Sequence, residues 1–393
     1  MFRHGTKNYK NGQSKVVYGQ SKVVLGALLL LLLLLSSITF FTISKGINTA
    51  IASTEKSSYI VIEQSSRRIL KGENVHQQLP MASTTKIMTA LIVLEHASLD
   101  DTVTIPQEAV GIEGSSIYLK VGDKLSVRNL LYGLMLRSGN DSAVALAIHT
   151  AGSVEKFTKL MNNKVDQLGL KNTRFVNPHG LSAKGHYTSA YDLAIISSEA
   201  MFNPVFKEIV STKLHVIKSE NEQETRYFAN KNRILYNYDG GNGIKTGYTT
   251  EAGRCLVASS ERNGMQVIAV AINHYDYFDF CSKLMDYAYE NYHMQKVIDK
   301  NKSYSEVKVK KGGKIKKVDL FPSKDCYYPV KKDDSEEIRV ELSTVKQITA
   351  PHLKETPCGS IKIYVDNCLK FDEKLYTIYN IDKRFSITDL WSK

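Results

Sequence analysis

Three short patterns in the chain set reactive side chains at spacings suited to acyl transfer. Ser83-Thr84-Thr85-Lys86 puts a hydroxyl and an amine one helical turn apart, so both project from one face of the helix that begins there. Such an amine can take the hydroxyl proton when burial or a neighbouring cation lowers its pKa. The positive potential at a helix start also favours an oxyanion. Ser138-Gly139-Asn140 brings a hydroxyl and a carboxamide into one tight turn, where Asn140 can hold an amide and Ser138 can relay a proton to a leaving group. Lys245-Thr246-Gly247-Tyr248-Thr249 offers a charge and a hydroxyl to a carboxylate, with Gly247 letting a substrate backbone lie against a strand. Taken singly, each pattern is also an ordinary one: Ser83 a helix cap, Ser138 and Asn140 loop residues.

The elements around these patterns read as an α+β unit. Tyr59 to Ile62 and Arg68 to Leu70 form a hairpin pattern around Ser65-Ser66. Apolar residues at Ile87, Met88, Leu91, Ile92 and Leu94 predict a largely buried helix over Thr85 to Ala97. Ser126 caps a second helix through Leu136, and a third begins at Ser142. Arg254 to Ser260 and Met265 to Asn273 flank Asn263-Gly264, the strongest short hairpin signal in the chain. With strands at both ends and helices between, the sheet must close through strands distant in sequence. After Lys300 the pattern changes to short alternating strands at Val307 to Val309, Lys317 to Leu320, Ile338 to Leu342 and Ile361 to Val365, a small β-sandwich pattern whose lysines line solvated faces.

At 393 residues the chain has room for two folded units and an appendage. Its net charge of +12 is partly a tail effect, because Arg3, Lys7, Lys10, Lys15 and Lys22 precede the first acidic residue. The other basic residues are interleaved with acids and no nucleic-acid motif accompanies them, so no nucleic-acid partner is expected. Val23 to Ile43 is apolar enough to cross a bilayer, and the basic residues before it place 1–22 in the cytoplasm and the rest outside. The segment 23–44 is read as a transmembrane anchor or a signal. Ala50-Ile51-Ala52 has the form of a cleavage site, whereas the length of the run favours retention. The cysteines at 255, 281, 326, 358 and 368 have no metal-binding spacing. The last three leave room for one disulfide in an oxidising compartment, and free thiols are the simpler reading.

In this fixed order, Ser-x-x-Lys at a helix start, Ser-x-Asn between helices and Lys-Thr-Gly on a strand form the signature of penicillin-interacting serine enzymes. The chain resembles the low-molecular-mass penicillin-binding proteins of the serine-type D-alanyl-D-alanine carboxypeptidase family. Ala82 to Thr89, Ser138 to Ala143, Lys245 to Thr249, Asn177-Pro178-His179-Gly180-Leu181 and Ser189 to Ala194 carry the resemblance. It implies a serine β-lactamase/D,D-peptidase-like domain over 53–298, with an antiparallel sheet and a helical subdomain, followed by a β-rich domain over 303–381. It further implies that Ser83 attacks the bond between two D-alanines with Lys86 as base, and that water then releases the shortened peptide. The backbone amides of Ser83 and Tyr248 would form the oxyanion hole. Ser138 with Lys245 would shuttle the proton, Asn140 would bind the scissile region, and Thr246 the terminal carboxylate. The implied partners are peptidoglycan stem peptides ending in D-Ala-D-Ala, β-lactams as inhibitors, and the membrane through the N-terminal segment. No metal or organic cofactor is implied.

Two departures stand out. Many family members carry an arginine after the last hairpin to grip the carboxylate, whereas Asn263 to Lys300 has none, leaving Arg254 as a substitute or a plain surface residue. Asp382 to Lys393 is also too short and mixed to form the amphipathic membrane helix that members often have at the C-terminus. A class A β-lactamase would need a deacylating glutamate loop, and Asn177 to Leu193 holds no Glu-x-x-Leu-Asn equivalent. A D,D-endopeptidase with the same residues, or a silent wall-binding protein, remain as alternatives. His179 and His186 lack a carboxylate cluster and read as loop and packing residues.

Overall fold

The computed structural model describes residues 57–218 and 225–383. The expectations for the basic tail, the apolar segment 23–44 and the Ala50-Ile51-Ala52 site lie outside the described residues, as does most of 382–393. No helix among the described residues is long and apolar enough to cross a membrane.

The first hairpin forms as expected, from β1 (Ser58–Glu63) and β2 (Ile69–Glu73). Its turn is held by the Glu63 carboxylate, which accepts from the backbone N–H and hydroxyl of both Ser65 and Ser66. After β3 (Thr102–Thr104) and β4 (Lys124–Ser126), a minor ribbon, and β5 (Leu214–Lys218) and β6 (Thr225–Ala229), a second one, the chain returns to the main sheet. There it adds β7 (Gly241–Thr249), β8 (Gly253–Arg262) and β9 (Met265–Ile272), giving the antiparallel order β2-β1-β9-β8-β7. Asn263 and Gly264 take left-handed φ values of 50° and 75° in the β8–β9 turn, as an Asn-Gly hairpin requires.

Strand β9 is buried along its whole length because its two faces serve different cores. Ile268, Val270 and Ile272 join the large helical core. Val267, Ala269 and Ala271 pack with Cys281, Leu284, Met285 and Ala288 of the last helix of this region. An unbroken apolar strand is the expected signature of a sheet covered on both sides.

The helices are α1 (Lys86–His96), α2 (Val127–Leu136), α3 (Asn140–Ala151), α4 (Val154–Gln167), α5 (Ala190–Phe202), α6 (Pro204–Ser211), α7 (Ile234–Asn237) and α8 (Tyr277–Asn291). Ser126 Oγ caps α2 by accepting from Asn129 N at 3.2 Å, as expected. Ser83 caps nothing: it lies within a 3-10 turn, Ala82–Thr85, that leads into α1. Helix α3 starts two residues before the expected Ser142, which makes Asn140 part of its first turn.

The β-rich region is built from β10 (Tyr292–Ile298), β11 (Ser305–Lys310), β12 (Lys317–Pro322), β13 (Cys326–Lys331), β14 (Ile338–Thr344), β15 (Gln347–Thr349), β16 (Gly359–Val365) and β17 (Cys368–Tyr376). Six of these form a curled sheet in the order β14-β16-β17-β12-β11-β15, and β10 pairs with β13. Ile298 and Cys326 of that ribbon join Val307, Leu320, Ile361, Ile363 and Leu375 in one apolar core. Sequence periodicity missed β10, β13 and β17, whose charged and aromatic residues blur the alternation, and β15, which is only three residues long. All five cysteines are free, and only Cys368 is exposed.

The candidate active site

The Ser83 hydroxyl sits where the 3-10 turn meets α1, beneath β7, the edge strand of the main sheet. Ala82, just before it, is held at φ +48°, which costs an L-residue about 1–2 kcal/mol. Tight packing enforces this geometry. A Cβ on Gly180 would lie 2.0 Å from the Ala82 carbonyl oxygen, and one on Gly247 would crowd Ser83 N at 3.1 Å. The Lys-Thr-Gly glycine thus lets β7 approach Ser83. Ser138 is likewise held in the left-handed region, at φ +66°, in the turn between α2 and α3.

Lys86 is fully buried, and its Nζ lies 3.0 Å from Ser83 Oγ, 2.7 Å from Asn140 Oδ1 and 2.5 Å from the His179 carbonyl oxygen. The last two atoms only accept hydrogen bonds. Asn140 is oriented by its Nδ2, which donates to Glu113 O at 2.5 Å, so its oxygen must face the amine. A neutral amine has two hydrogens and one lone pair. In that form the hydrogens go to Asn140 and His179 and the lone pair faces the Ser83 hydroxyl, whereas the ammonium form donates to all three. Burial, helped by the nearby Lys245 and Lys231, holds the Lys86 amine well below its ordinary pKa, against an opposing pull from Asp141.

Lys245, 2 % exposed, is lowered to about 7 by burial and then by Lys231. Its Nζ donates to the Thr246 carbonyl oxygen at 2.8 Å. The Thr246 side chain is half-buried and Tyr248 is largely exposed at the rim. Arg254 pairs across the ladder with Tyr248, but its guanidinium sits over the rings of Tyr275 and Tyr277, at 5.5 and 5.7 Å.

The structure therefore gathers Ser83, Lys86, Asn140 and the Gly247 backbone in direct apposition, with Lys245 and Ser138 buried near them. It also reveals supports that sequence reasoning missed. Asp141, 1 % exposed, accepts from Ser116 Oγ and from the backbone N–H of Ile117, Leu119 and Ser142, and so fixes the loop that meets Asn140. Asn177 Oδ1 accepts from the N–H of His179 and Gly180, which aims the His179 carbonyl at Lys86. His186 Nδ1 accepts from Val176 N, so its Nε2 carries the proton and donates to Thr85 Oγ1 at 2.8 Å, bracing the nucleophile turn. Burial first, then the charge of Lys86, lowers both His179 and His186 to about 4. Both rings are packing and positioning groups. No cluster of metal-ligating side chains occurs among the described residues.

A serine hydroxyl in contact with a buried lysine amine beneath a sheet edge is the arrangement expected of an active-site-serine peptidase. Residues 45–276 match the D-alanyl-D-alanine carboxypeptidase family, S11 peptidases, and residues 292–383 match the C-terminal domain of penicillin-binding protein 5. The chain belongs to this family of low-molecular-mass penicillin-binding proteins. The D-alanyl-D-alanine carboxypeptidase DacF of Bacillus subtilis is 35 % identical over 83 % of this chain and 86 % of its own length. DacD of Escherichia coli, of the same description, is 31 % identical over 78 % and 82 %. The crystal structure of penicillin-binding protein 5 from Haemophilus influenzae superimposes with a TM-score of 0.68 at 30 % identity, covering 83 % of this chain and 97 % of that one.

Proposed function

We propose that the chain is a serine-type D-alanyl-D-alanine carboxypeptidase that removes the terminal D-alanine from peptidoglycan stem peptides and is acylated by β-lactams at the same serine. The observation that carries this reading is the buried Lys86 Nζ, 3.0 Å from Ser83 Oγ and held there by Asn140 Oδ1 and the His179 carbonyl oxygen. As Ser83 Oγ bonds to the carbonyl carbon between the two D-alanines, its proton passes to Lys86. The oxyanion is met by the N–H groups of Ser83 and Tyr248, a device whose donors are each worth about 3–4 kcal/mol in serine enzymes. The C–N bond then breaks and D-alanine leaves with a proton relayed through Ser138 and Lys245. Water attacks the acyl-enzyme, returning the proton to Ser83 and freeing the shortened peptide.

Asn140 serves Lys86 first, and the second lone pair of its Oδ1 is left for a substrate N–H. Thr246 and the Lys245 cation receive the terminal carboxylate, and Gly247 gives the peptide room along the free edge of β7. Residues 53–298 form the catalytic domain and 303–381 the C-terminal one, a division supported by their separate apolar cores. Residues 1–22 remain cytoplasmic and 23–44 tether the enzyme, a reading supported by the basic flank and the apolar length. Fractionation of cells carrying the full chain tests this: recovery in the soluble external fraction would replace the tether by a cleaved signal.

The primary test incubates the full chain with a peptide ending in D-Ala-D-Ala and measures free D-alanine beside a Ser83→Ala variant. Release that is lost by at least about 10⁴-fold in the variant fits the mechanism. No release from folded wild-type protein, with cleavage of a crosslinked peptide dimer instead, moves the assignment to an endopeptidase.

A further inference from the structure

Strand β14 ends the curled sheet and pairs only with β16, in an unbroken register from Ile338↔Val365 to Thr344↔Gly359. Two bonds outside the strands, Val345 N to Cys358 O and Asp366 N to Glu337 O, both at 3.0 Å, fix the phase of this ladder. Odd-numbered residues from 337 to 345 bond to β16, so the N–H and C=O groups of Ile338, Val340 and Leu342 point to the free edge. The side chains of Val340 and Leu342 are 49 % and 44 % exposed. They lie directly opposite Ile363 and Ile361, which are fully buried, and extend that apolar face past its cover. On the other face Arg339 lies over the Tyr364 ring and pairs with Glu341 at 3.2 Å.

Exposed edges are usually protected by a bulge, a proline or charges of one sign. This edge has no bulge and no proline, and its two charges are opposite. Its order, Ile338-Arg339-Val340-Glu341-Leu342, is complementary to itself when reversed. An antiparallel copy centred on Val340 sets Arg339 against Glu341 twice, Ile338 against Leu342 twice, and Val340 against Val340. In that register Ile338, Val340 and Leu342 all fall in mutually bonded pairs, the positions whose main-chain groups are free.

We infer that β14 pairs with β14 of a second copy of this chain about a twofold axis through Val340, joining two curled sheets into one. A seven-residue edge lies short of the about 1,200 Å² typical of stable interfaces, so the dimer is weak in dilute solution and fills where chains are concentrated. The pairing involves no catalytic residue, and D-alanine release from a small peptide is unchanged by it.

The test is sedimentation equilibrium of the full chain from about 1 µM to about 200 µM. The wild-type average mass rises from one 44.1 kDa chain toward two. Arg339→Glu alone and Glu341→Arg alone each set two like-charged pairs across the axis and weaken association at least about tenfold. An equimolar mixture of the two variants restores it, because every cross-axis pair is again of opposite sign. The intrachain Arg339–Glu341 pair is exposed, so its loss leaves the unfolding midpoint of each variant close to that of the wild type. Unchanged D-alanine release by each variant shows that the chain is folded. A wild-type chain that stays monomeric throughout, single variants that associate as the wild type does, or a mixture that fails to associate would each overturn the proposal.

Discussion

The region before Tyr292 and the β-rich region after it bury different chemistry. Among the described residues, the first encloses Lys86, Lys245, Asp141, Asn140, Ser138, His186 and many other polar side chains, while the second buries Thr377 and, at the joint with the first, the Glu336 carboxylate. Removing an ammonium or carboxylate from water costs several kcal/mol unless hydrogen bonds or a change of protonation compensate. The catalytic region uses both: Asp141 is bonded to the Ser116 hydroxyl and to backbone donors, and Lys86 is displaced toward its neutral form. Apart from Glu336 at the joint with the first region, the C-terminal region keeps its charges on solvated faces, in exposed pairs such as Lys317–Glu306 that solvent screens. A polar interior is therefore the mark of chemistry here, and an apolar one of a scaffold.

The largest expected break in this contrast is Lys86→Met. It lowers acylation by about 10³-fold, measured with D-alanine release and with covalent penicillin labelling, while far-UV circular dichroism stays that of the wild type. Next is the joint between the regions. Arg68, from the β1–β2 turn, donates to Pro329 O at 2.6 Å, pairs with the nearly buried Glu336 and lies over Tyr292 and Tyr328. Arg68→Met leaves Glu336 uncompensated and costs about 3 kcal/mol in urea unfolding, with kcat unchanged. Equal loss of activity and stability would mean that the scaffold shapes the cleft.

A smaller effect follows from His179 and His186, whose folded pKa values of about 4 lie below the ordinary 6.5. Between those values the unfolded chain binds more protons, so stability falls as pH drops from 6.5 toward 4, by at most about 1.4 kcal/mol per pH unit for each ring. Unfolding midpoints across that range test this, and His186→Gln makes the decline shallower. The smallest is Lys231→Gln. Lys231 lowers both Lys86 and Lys245, so its removal raises both and moves the whole pH profile of kcat/KM to higher pH. A profile that stays in place would show that solvent screens Lys231 from the cleft.

Local sequence was sufficient wherever a local interaction decides the outcome. The Asn263-Gly264 turn, the Ser126 cap and the helix after Ser83 follow from backbone conformation and period, and the three ordered motifs name the candidate reactive side chains before any fold is known. Where a residue's role depends on partners far along the chain, the sequence is silent. The His179 carbonyl, from a loop 93 residues beyond Lys86, accepts one amine hydrogen. Asn140, 54 residues away, accepts the other. Only that convergence shows how the Lys86 amine is aimed, with two positions taken by fixed acceptors and the third by Ser83 Oγ. In the same way, alternation marks β14 as a strand, but its place at the sheet edge and its free main-chain groups are set by the partner it lacks. Side-chain types determined the chemistry available to this protein, and tertiary packing decided the direction of its pKa shifts, the aim of its hydrogen bonds and its unpaired edge, since burial and long-range hydrogen bonds exist only in the folded chain.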